Sequence, residues 1–443
     1  LAIDDRNTGA PKGGKSKPAN GNAALGNLAV GYINIDGDKL SYQNDAKNRS
    51  WEIPSFEIQL RGFLMNENQK MKEDRLLFSE AYKVSLDNIA FRLPDSLYRV
   101  QIDRLSINSQ APQVVIEGPT VLPFYGMYEH AHVVGHQTPW VQAKGRQIAL
   151  YDPNLFGLLQ GDEIVARKVE LSNFYVRMFK DKRLPFPADQ IRSLPQLQLL
   201  EMKMPLQIDS LLLTNSALLY LEFAEDGTEP GELMISELSA RGTNITNKPE
   251  AIARNAYANL HAQALMMEAG QLKADFVFDL TSKAGTHYVT GSVGPTDLQK
   301  VNSFLVPITF VQVRDGKLNE AYFNFEADTS VAVGNMDFLY NDLKINVLNR
   351  KEEKQGTGKA FESFFANAFI VSSNNPTLFS TRQGGIFFER DTSRSIINYW
   401  SKAFLSGVIS SIGARSNKDK IKHWQEEVYE KNATQQSGTN EEK

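Results

Sequence analysis

From about Leu28 onward the chain alternates between apolar and polar positions. Tyr82, Val84 and Leu86 share one side of a two-residue period, as do Tyr98, Val100 and Ile102, while Lys83, Ser85, Arg99 and Gln101 take the other. The scheme returns with Ala321, Phe323 and Phe325, and again with Leu343, Ile345 and Val347. Short alternating runs of this kind predict half-buried strands in antiparallel sheet, one face wet and one greasy. Asp36-Gly37, Asp226-Gly227 and Asp315-Gly316 supply hairpin or loop signals between them. Helical patterns are few before residue 355: a short one over Ala188–Leu194, which Pro195 would end, and another over Pro249–Asn259.

After Asn349 the pattern changes. A charged, glycine-containing break over residues 350–358 precedes Phe361, Phe364, Phe365, Ala368 and Phe369 at helical spacing. Residues 384–390 read as a short strand, and Asp391 or Ser393 as the cap of a last helix. That helix sets Ile396, Trp400, Ala403, Phe404, Gly407, Val408 and Ile412 along one stripe and ends near Gly413. The segments are then a flexible Gly/Pro/Lys linker (1–26), a repeated antiparallel β region (27–203), a second β region (204–350), a helical capping segment (351–430) and a disordered tail (431–443).

Internal similarity runs through the β regions. Gln101-Ile102-Asp103-x-Leu105 within Val100–Asn108 is matched by Gln207-Ile208-Asp209-x-Leu211 within Leu206–Thr214, with a weaker echo over Ala166–Leu171. Strands draw on a small alphabet, so chance competes with repetition; the reading preferred is a loose repeat of strand pairs without a strict period.

Composition narrows the function. With 443 residues the chain exceeds one ordinary domain, and a net charge of −4 supplies no basic field for nucleic acid. Zero cysteines exclude disulfide scaffolds, thiol catalysis and thiolate metal sites. No run approaches the ~18–20 apolar residues that span a bilayer. The start at Leu1-Ala2-Ile3 leads to the expectation of a preceding signal peptide or anchor.

Candidate chemistry is sparse. His130, His132 and His136 offer three imidazoles, but flanking Gly126, Gly135 and Pro139 favour a loop, and the spacing matches no familiar ligand set, so they are weak metal candidates. No Gly-x-Ser-x-Gly elbow is present, and Gly13-Gly14-Lys15-Ser16 lacks the earlier glycine of a phosphate loop. Asp162-Glu163 and Asp36 with Asp38 are typical of solvated turns. The chain is therefore read as non-enzymatic and without a cofactor. An amphipathic sheet with few helices either closes as a sandwich or leaves a groove, and alternation alone does not separate the two for Leu211, Leu213, Leu219, Leu221, Phe276 and Phe278. The Trp400 stripe, with Arg394, Lys402 and Arg415 nearby, suits either a membrane surface or a cap on the sheet, with capping preferred.

Three segments resemble the C-terminal region of AsmA-like proteins, and more distantly TamB. They are Leu206–Leu211 with Ala217–Tyr220 and the strand leading into Asn244-Ile245-Thr246-Asn247; Phe276–Leu280 with Tyr288–Val293; and Val311–Phe325 with Val331–Ile345. The resemblance covers residues 204–412 well and 28–200 by architecture, and it carries no catalytic residue. It implies an elongated, curved antiparallel sheet, mainly β, with a few C-terminal helices and an apolar β-groove for phospholipid acyl chains. Candidate groove residues are Leu211, Leu213, Leu219, Leu221, Phe276, Phe278, Phe323 and Phe325; Ile396, Trp400, Phe404 and Val408 form the membrane or capping helix. The implied setting is the periplasm, with inner-membrane anchoring and inner- or outer-membrane proteins as further partners. The implied role is phospholipid transport or outer-membrane assembly. The alternative is a structural or adhesive β-sandwich without lipid.

Overall fold

The structure, a computed structural model, describes residues 2–4, 28–44, 49–65, 75–93, 97–187, 190–348 and 371–438. It is mainly β, with 54% strand and 19% helix. Two compact units divide it: Leu1–His130, Trp140–Val176 and Met204–Thr214 in the first, Ala131–Pro139, Arg177–Lys203 and Asn215–Lys443 in the second. The units interleave along the sequence and do not follow the segments expected above. The Gly/Pro/Lys linker lies almost wholly, and the Phe361–Phe369 helix entirely, outside the described residues.

In the first unit a run of strands pairs edge to edge. Its order is β2 (Leu28–Gly37), β5 (Ser55–Met65), β6 (Ala81–Arg92), β7 (Tyr98–Asn108), β8 (Gln113–Glu117), β11 (Gln147–Pro153), β12 (Ile164–Ser172) and β14 (Leu206–Phe223). All neighbours are antiparallel except β12 and β14, which run parallel. Shorter strands β1 (Ala2–Asp4), β3 (Leu40–Asn44), β4 (Arg49–Ile53), β9 (Thr120–Pro123) and β10 (Trp140–Lys144) pair around this run. β13 (Tyr175–Asp181) and β14 each contribute residues to both units.

The second unit is a meander of neighbouring antiparallel strands: β15 (Pro230–Thr246), β16 (Tyr257–Met266), β17 (Gly270–Asp279), β18 (His287–Val293), β20 (Val311–Ala327), β21 (Val331–Val347) and β22 (Gln383–Glu389). β19 (Thr296–Asp297) adds a short pairing to β20. Asp226-Gly227 turns between β14 and β15 as expected, whereas Asp315-Gly316 lies inside β20. There the register with β21 shifts, and Gly316 takes the bulge at φ 143°. Asp36-Gly37 ends β2, whose partner is β5 and not the strand that follows it.

Proline behaves differently from the expectation at one helix. Pro195 starts the helix Pro195–Glu201 at its first turn, where a missing N–H costs nothing, instead of ending one. The second proline-led helix runs Pro249–Arg254 and gives way to β16 at Tyr257.

The helix Ile396–Ser411 lies on β21 and β22. Its cap is Ser395, not Asp391 or Ser393: the Ser395 side chain accepts from the Asn398 N–H. Close approach is made possible by glycine. A Cβ on Gly384 would sit 2.5 Å from the Gly407 carbonyl oxygen and 2.8 Å from the Ser411 nitrogen, and one on Gly407 would sit 2.8 Å from Ile386. A second helix, Lys418–Gly438, follows through the segment expected as a disordered tail. Lys422–Glu426 and His423–Glu427 pairs one turn apart support it.

Gly384→Val is expected to lift the Trp400 helix from the sheet and destabilise the protein by roughly 3 kcal/mol, because the clash is with helix backbone that has no alternative rotamer. Urea unfolding checks this; an unchanged midpoint would show that the helix does not depend on that contact.

Candidate functional site: the apolar face of the first unit

Register turns the alternation of the first unit into rows. Ile35, Ile58, Val84, Ile107, Val114, Leu150, Val169 and Leu211 are successive cross-strand partners from β2 to β14. Two residues along, Phe56, Leu86, Leu105, Ile116, Ile148, Leu171 and Leu213 form a second row from β5 to β14. Direct partners project to the same face, so both rows belong to one apolar surface. On the opposite face one row is polar, with Asn34, Gln59, Lys83, Asn108, Gln113, Tyr151, Lys168 and Ser210 as partners, and the next is mixed, with Ser85, Ser106, Val115, Ala149, Glu170 and Leu212.

The repeat explains the rows. Leu105 and Ile107, Leu211 and Leu213, and Val169 and Leu171 of the weaker echo are the apolar pairs of each copy, and each pair gives one residue to each row.

Cover over this face is partial. The turn Leu76–Phe78 and the helix Leu155–Gln160 bring Leu76, Leu77, Leu155 and Phe156 into one cluster with Leu60, Tyr82, Ile58, Val84, Ile107, Val114 and Leu150, and with Leu105 of the second row. Even so, Val114 is the one row member that is fully buried, at 5%, and Ile35 is 45% exposed. Phe56, Leu86, Ile116, Ile148, Leu171 and Leu213 are half-buried and lie outside the core clusters drawn from the described residues.

The corresponding face of the second unit is covered. Leu260, Phe276, Val289, Phe325, Gly334 and Ile386 make one row, and Ala262, Ala274, Gly291, Phe323, Met336 and Gly384 the next. Val289, Phe325, Ile386, Phe323 and Met336 are all buried, with Tyr399, Ala403 and Ile409 of the terminal helix in the same core. Large rings alternate with glycine and alanine, so the helix side chains interdigitate with the sheet.

The structure therefore separates the residues that the sequence grouped as a groove. Leu211 and Leu213 are half-buried on the first unit's rows. Leu219 and Leu221 belong to the second unit, half-buried and buried respectively. Phe276, Phe278, Phe323 and Phe325 lie with the helix stripe of Ile396, Trp400, Phe404 and Val408. Trp400 is 4.6 Å from Phe276 between ring centroids, and Phe404 meets Phe323 edge-on at 5.2 Å.

A polar clasp fixes that packing. Trp400 donates its indole N–H to His287 Nε2 at 3.0 Å, so that nitrogen is the acceptor and the proton sits on Nδ1. His287 Nδ1 faces the Gly285 carbonyl at 3.0 Å, and Gln196 donates to the same carbonyl at 2.6 Å. His287 is fully buried, and desolvation lowers its pKa below the ordinary value of 6.5. Sequence reading missed this residue, since nothing local marks a partner 113 positions away.

The other histidines do not converge. His130 opens a short helix, His130–Val134, and approaches Tyr98 at 3.3 Å; His132 and His136 are exposed. Among the described residues no group of three or more His, Cys, Asp or Glu side chains is placed to hold a metal. Among the described residues, no helix is long and apolar enough to cross a membrane. No protein-family model matches the chain, and no curated protein matches it.

Phe325→Asp puts an unpaired charge at a position 4% exposed within the core that includes the terminal helix and is expected to cost about 3–5 kcal/mol, whereas Leu213→Asp, on the half-buried row, is expected to cost about 1 kcal/mol. Equal losses in urea titrations would show that both faces are closed. Protonating His287 breaks the Trp400 bond, and its depressed pKa means the unfolded chain takes up the proton first. Stability is therefore expected to fall as pH drops below about 6.5 toward the folded-state value. Thermal unfolding between pH 7 and pH 5 should lose that component in His287→Gln; the same pH slope in both proteins would remove His287 as its source.

Proposed function

We propose that the chain is a non-enzymatic bacterial envelope protein whose first unit holds phospholipid acyl chains on an apolar β face, in phospholipid transport or outer-membrane organisation. The observation that carries this reading is the second apolar row, continuous over seven strands from β5 to β14 and half-buried throughout, beside a first row of eight strands that is covered only in part. Contiguous apolar surface of that extent is uncommon on a protein that faces only water. At ~4.8 Å per strand the second row extends roughly 29 Å, against about 15 Å for the acyl region of one leaflet. The rows hold aliphatic and aromatic carbon with no acid, base or nucleophile among them, which suits binding and not bond-breaking.

The resemblance to AsmA-like proteins supplies the setting of this proposal: the periplasm, an inner-membrane anchor, and inner- or outer-membrane proteins as partners. A structural or adhesive β protein without cargo is the competing reading. It draws on the second unit, where the same alternation is closed by a helix.

Mass spectrometry of organic extracts from the purified chain is expected to find about one phospholipid or more per molecule. The double variant Leu86→Asp with Ile148→Asp should lose it while keeping the wild-type circular dichroism. A lipid-free wild type, or equal lipid in both proteins, would reject the proposal.

A further inference from the structure

The tips of tight turns are ordinarily built from Gly, Pro, Asn, Asp and Ser, which suit both the backbone geometry and the surrounding water. One tip in the second unit departs from this. Leu378 and Phe379, in the segment that leads into β22, stand 97% and 96% exposed.

Hydrogen bonds fix this tip from below. Asn375 at its base is 1% exposed: its side-chain amide donates to the Phe338 carbonyl at 2.8 Å and the Arg382 carbonyl at 2.9 Å, and its side-chain oxygen accepts the Arg382 N–H at 2.8 Å. The Asn375 backbone pairs in both directions with Tyr340, whose hydroxyl donates to the Ser372 carbonyl at 2.8 Å. Further out, the Thr377 N–H donates to the Ser380 carbonyl at 2.8 Å, and the Thr377 hydroxyl oxygen accepts the N–H groups of Phe379 and Ser380. Both limbs of the reversal are thus tied beneath the two apolar residues. Their exposure is built into the local structure.

Whatever takes such a tip out of water has to surround it. A protein surface of ordinary curvature covers one side of a protruding side chain, and only a deep apolar socket encloses two adjacent ones. A second copy of the chain brings charge to its cavities: the described residues form one lined by Asp36, Asp38, Glu57, Asp87 and Arg104, and another where Phe387 and Ile409 stand with Glu389, Arg415 and Lys420. Liquid hydrocarbon conforms to any convex shape. The shoulder of the tip suits the layer just outside hydrocarbon, because residues 371–381 carry hydroxyls and amides and no charge. Asp337 and Asp342 lie beside Gln383 and Asn374, at the base of the loop. Interfacial apolar residues sit about 5–10 Å deep, within reach of Leu and Phe side chains carried on a turn.

We propose that the Thr377–Ser380 turn is a membrane-contact site, with Leu378 and Phe379 entering the boundary between headgroups and acyl chains of a phospholipid bilayer and Thr377, Ser380 and Thr381 meeting the headgroups. Two side chains give a shallow, reversible hold, weaker than a single acyl anchor. The site belongs to the second unit and does not rest on acyl-chain binding by the rows of the first.

The test is flotation of the full chain with phosphatidylcholine vesicles. The wild type is expected to float with them, and Leu378→Ser with Phe379→Ser to lower the partition coefficient about tenfold or more. That variant should keep the wild-type melting temperature, because neither side chain packs against the fold. Ile397→Ser, at another exposed apolar residue, should leave partition unchanged. Partition should persist in about 0.5 M salt, since the tip carries no charge to be screened. The chain has no cysteine, so Leu378→Cys accepts a single environment-sensitive dye, whose emission should move to the blue when vesicles are added. A wild type that stays in the buffer, equal partition in the double variant, equal loss in Ile397→Ser, release by salt or dye emission unmoved by vesicles would overturn the proposal. Dimerisation of the wild type in sedimentation, lost in the double variant, would also overturn it by assigning the tip to a second copy. Leu86→Asp with Ile148→Asp should float like the wild type, so failure of the acyl-chain reading is visible apart from failure of this one.

Discussion

An alternating strand leaves one side of its sheet apolar, and that side has to be taken out of water by something. The second unit meets this constraint from within the chain. Its Phe276, Phe323 and Phe325 side meets Trp400 and Phe404, and the helix comes close enough because Gly384 and Gly407 face each other without side chains. The clasp from Trp400 to His287 satisfies polar groups that the same packing would otherwise strand in a dry interior. Core, helix seat and buried histidine are thus consequences of one requirement, that the apolar face be covered.

The first unit has the same kind of face and a lesser cover. The Leu76–Phe78 turn and the Leu155–Gln160 helix shelter the Ile58, Val84, Ile107 and Val114 side of it. In the second row Leu105 packs into that cluster, while Phe56, Leu86, Ile116, Ile148, Leu171 and Leu213 are half-buried outside it. Where a covering element is short, the uncovered remainder is the place to look for a ligand.

Much of this architecture was legible in the sequence. Period-two alternation gave the strands, and the Gln-Ile-Asp-x-Leu echo marked residues that fall on common rows, because a repeated strand pair repeats its inward positions. What alternation does not carry is the identity of the cover: Leu213 and Phe276 look alike in sequence, yet only Phe276 has a helix against it. Pro195 was misread because proline stops a helix from within but starts one from its first turn, and the difference is a matter of register. Asp315-Gly316 was misread as a turn because a bulge and a turn both need backbone that glycine adopts easily. The His287 clasp and the Lys182–Glu222 pair depend on residues brought together from distant parts of the chain, and no local pattern announces them.

The chemistry of the rows also limits what they can select. Ile, Val, Leu and Phe side chains offer contact area and no directed bond, and a methylene more or less changes such contact by only about 1–3 kcal/mol. A face of this composition would therefore take apolar chains as a class and discriminate weakly among their lengths. Discrimination by chemical group requires charge or hydrogen bonding in a desolvated setting, where an unmatched partner is costly. In this chain such settings occur off the rows, at the nearly enclosed Glu222 with Lys182 and Tyr220 and at the buried His287. Were the chain to prefer one ligand over another, the preference would come from the polar corners of the fold and not from its apolar surface.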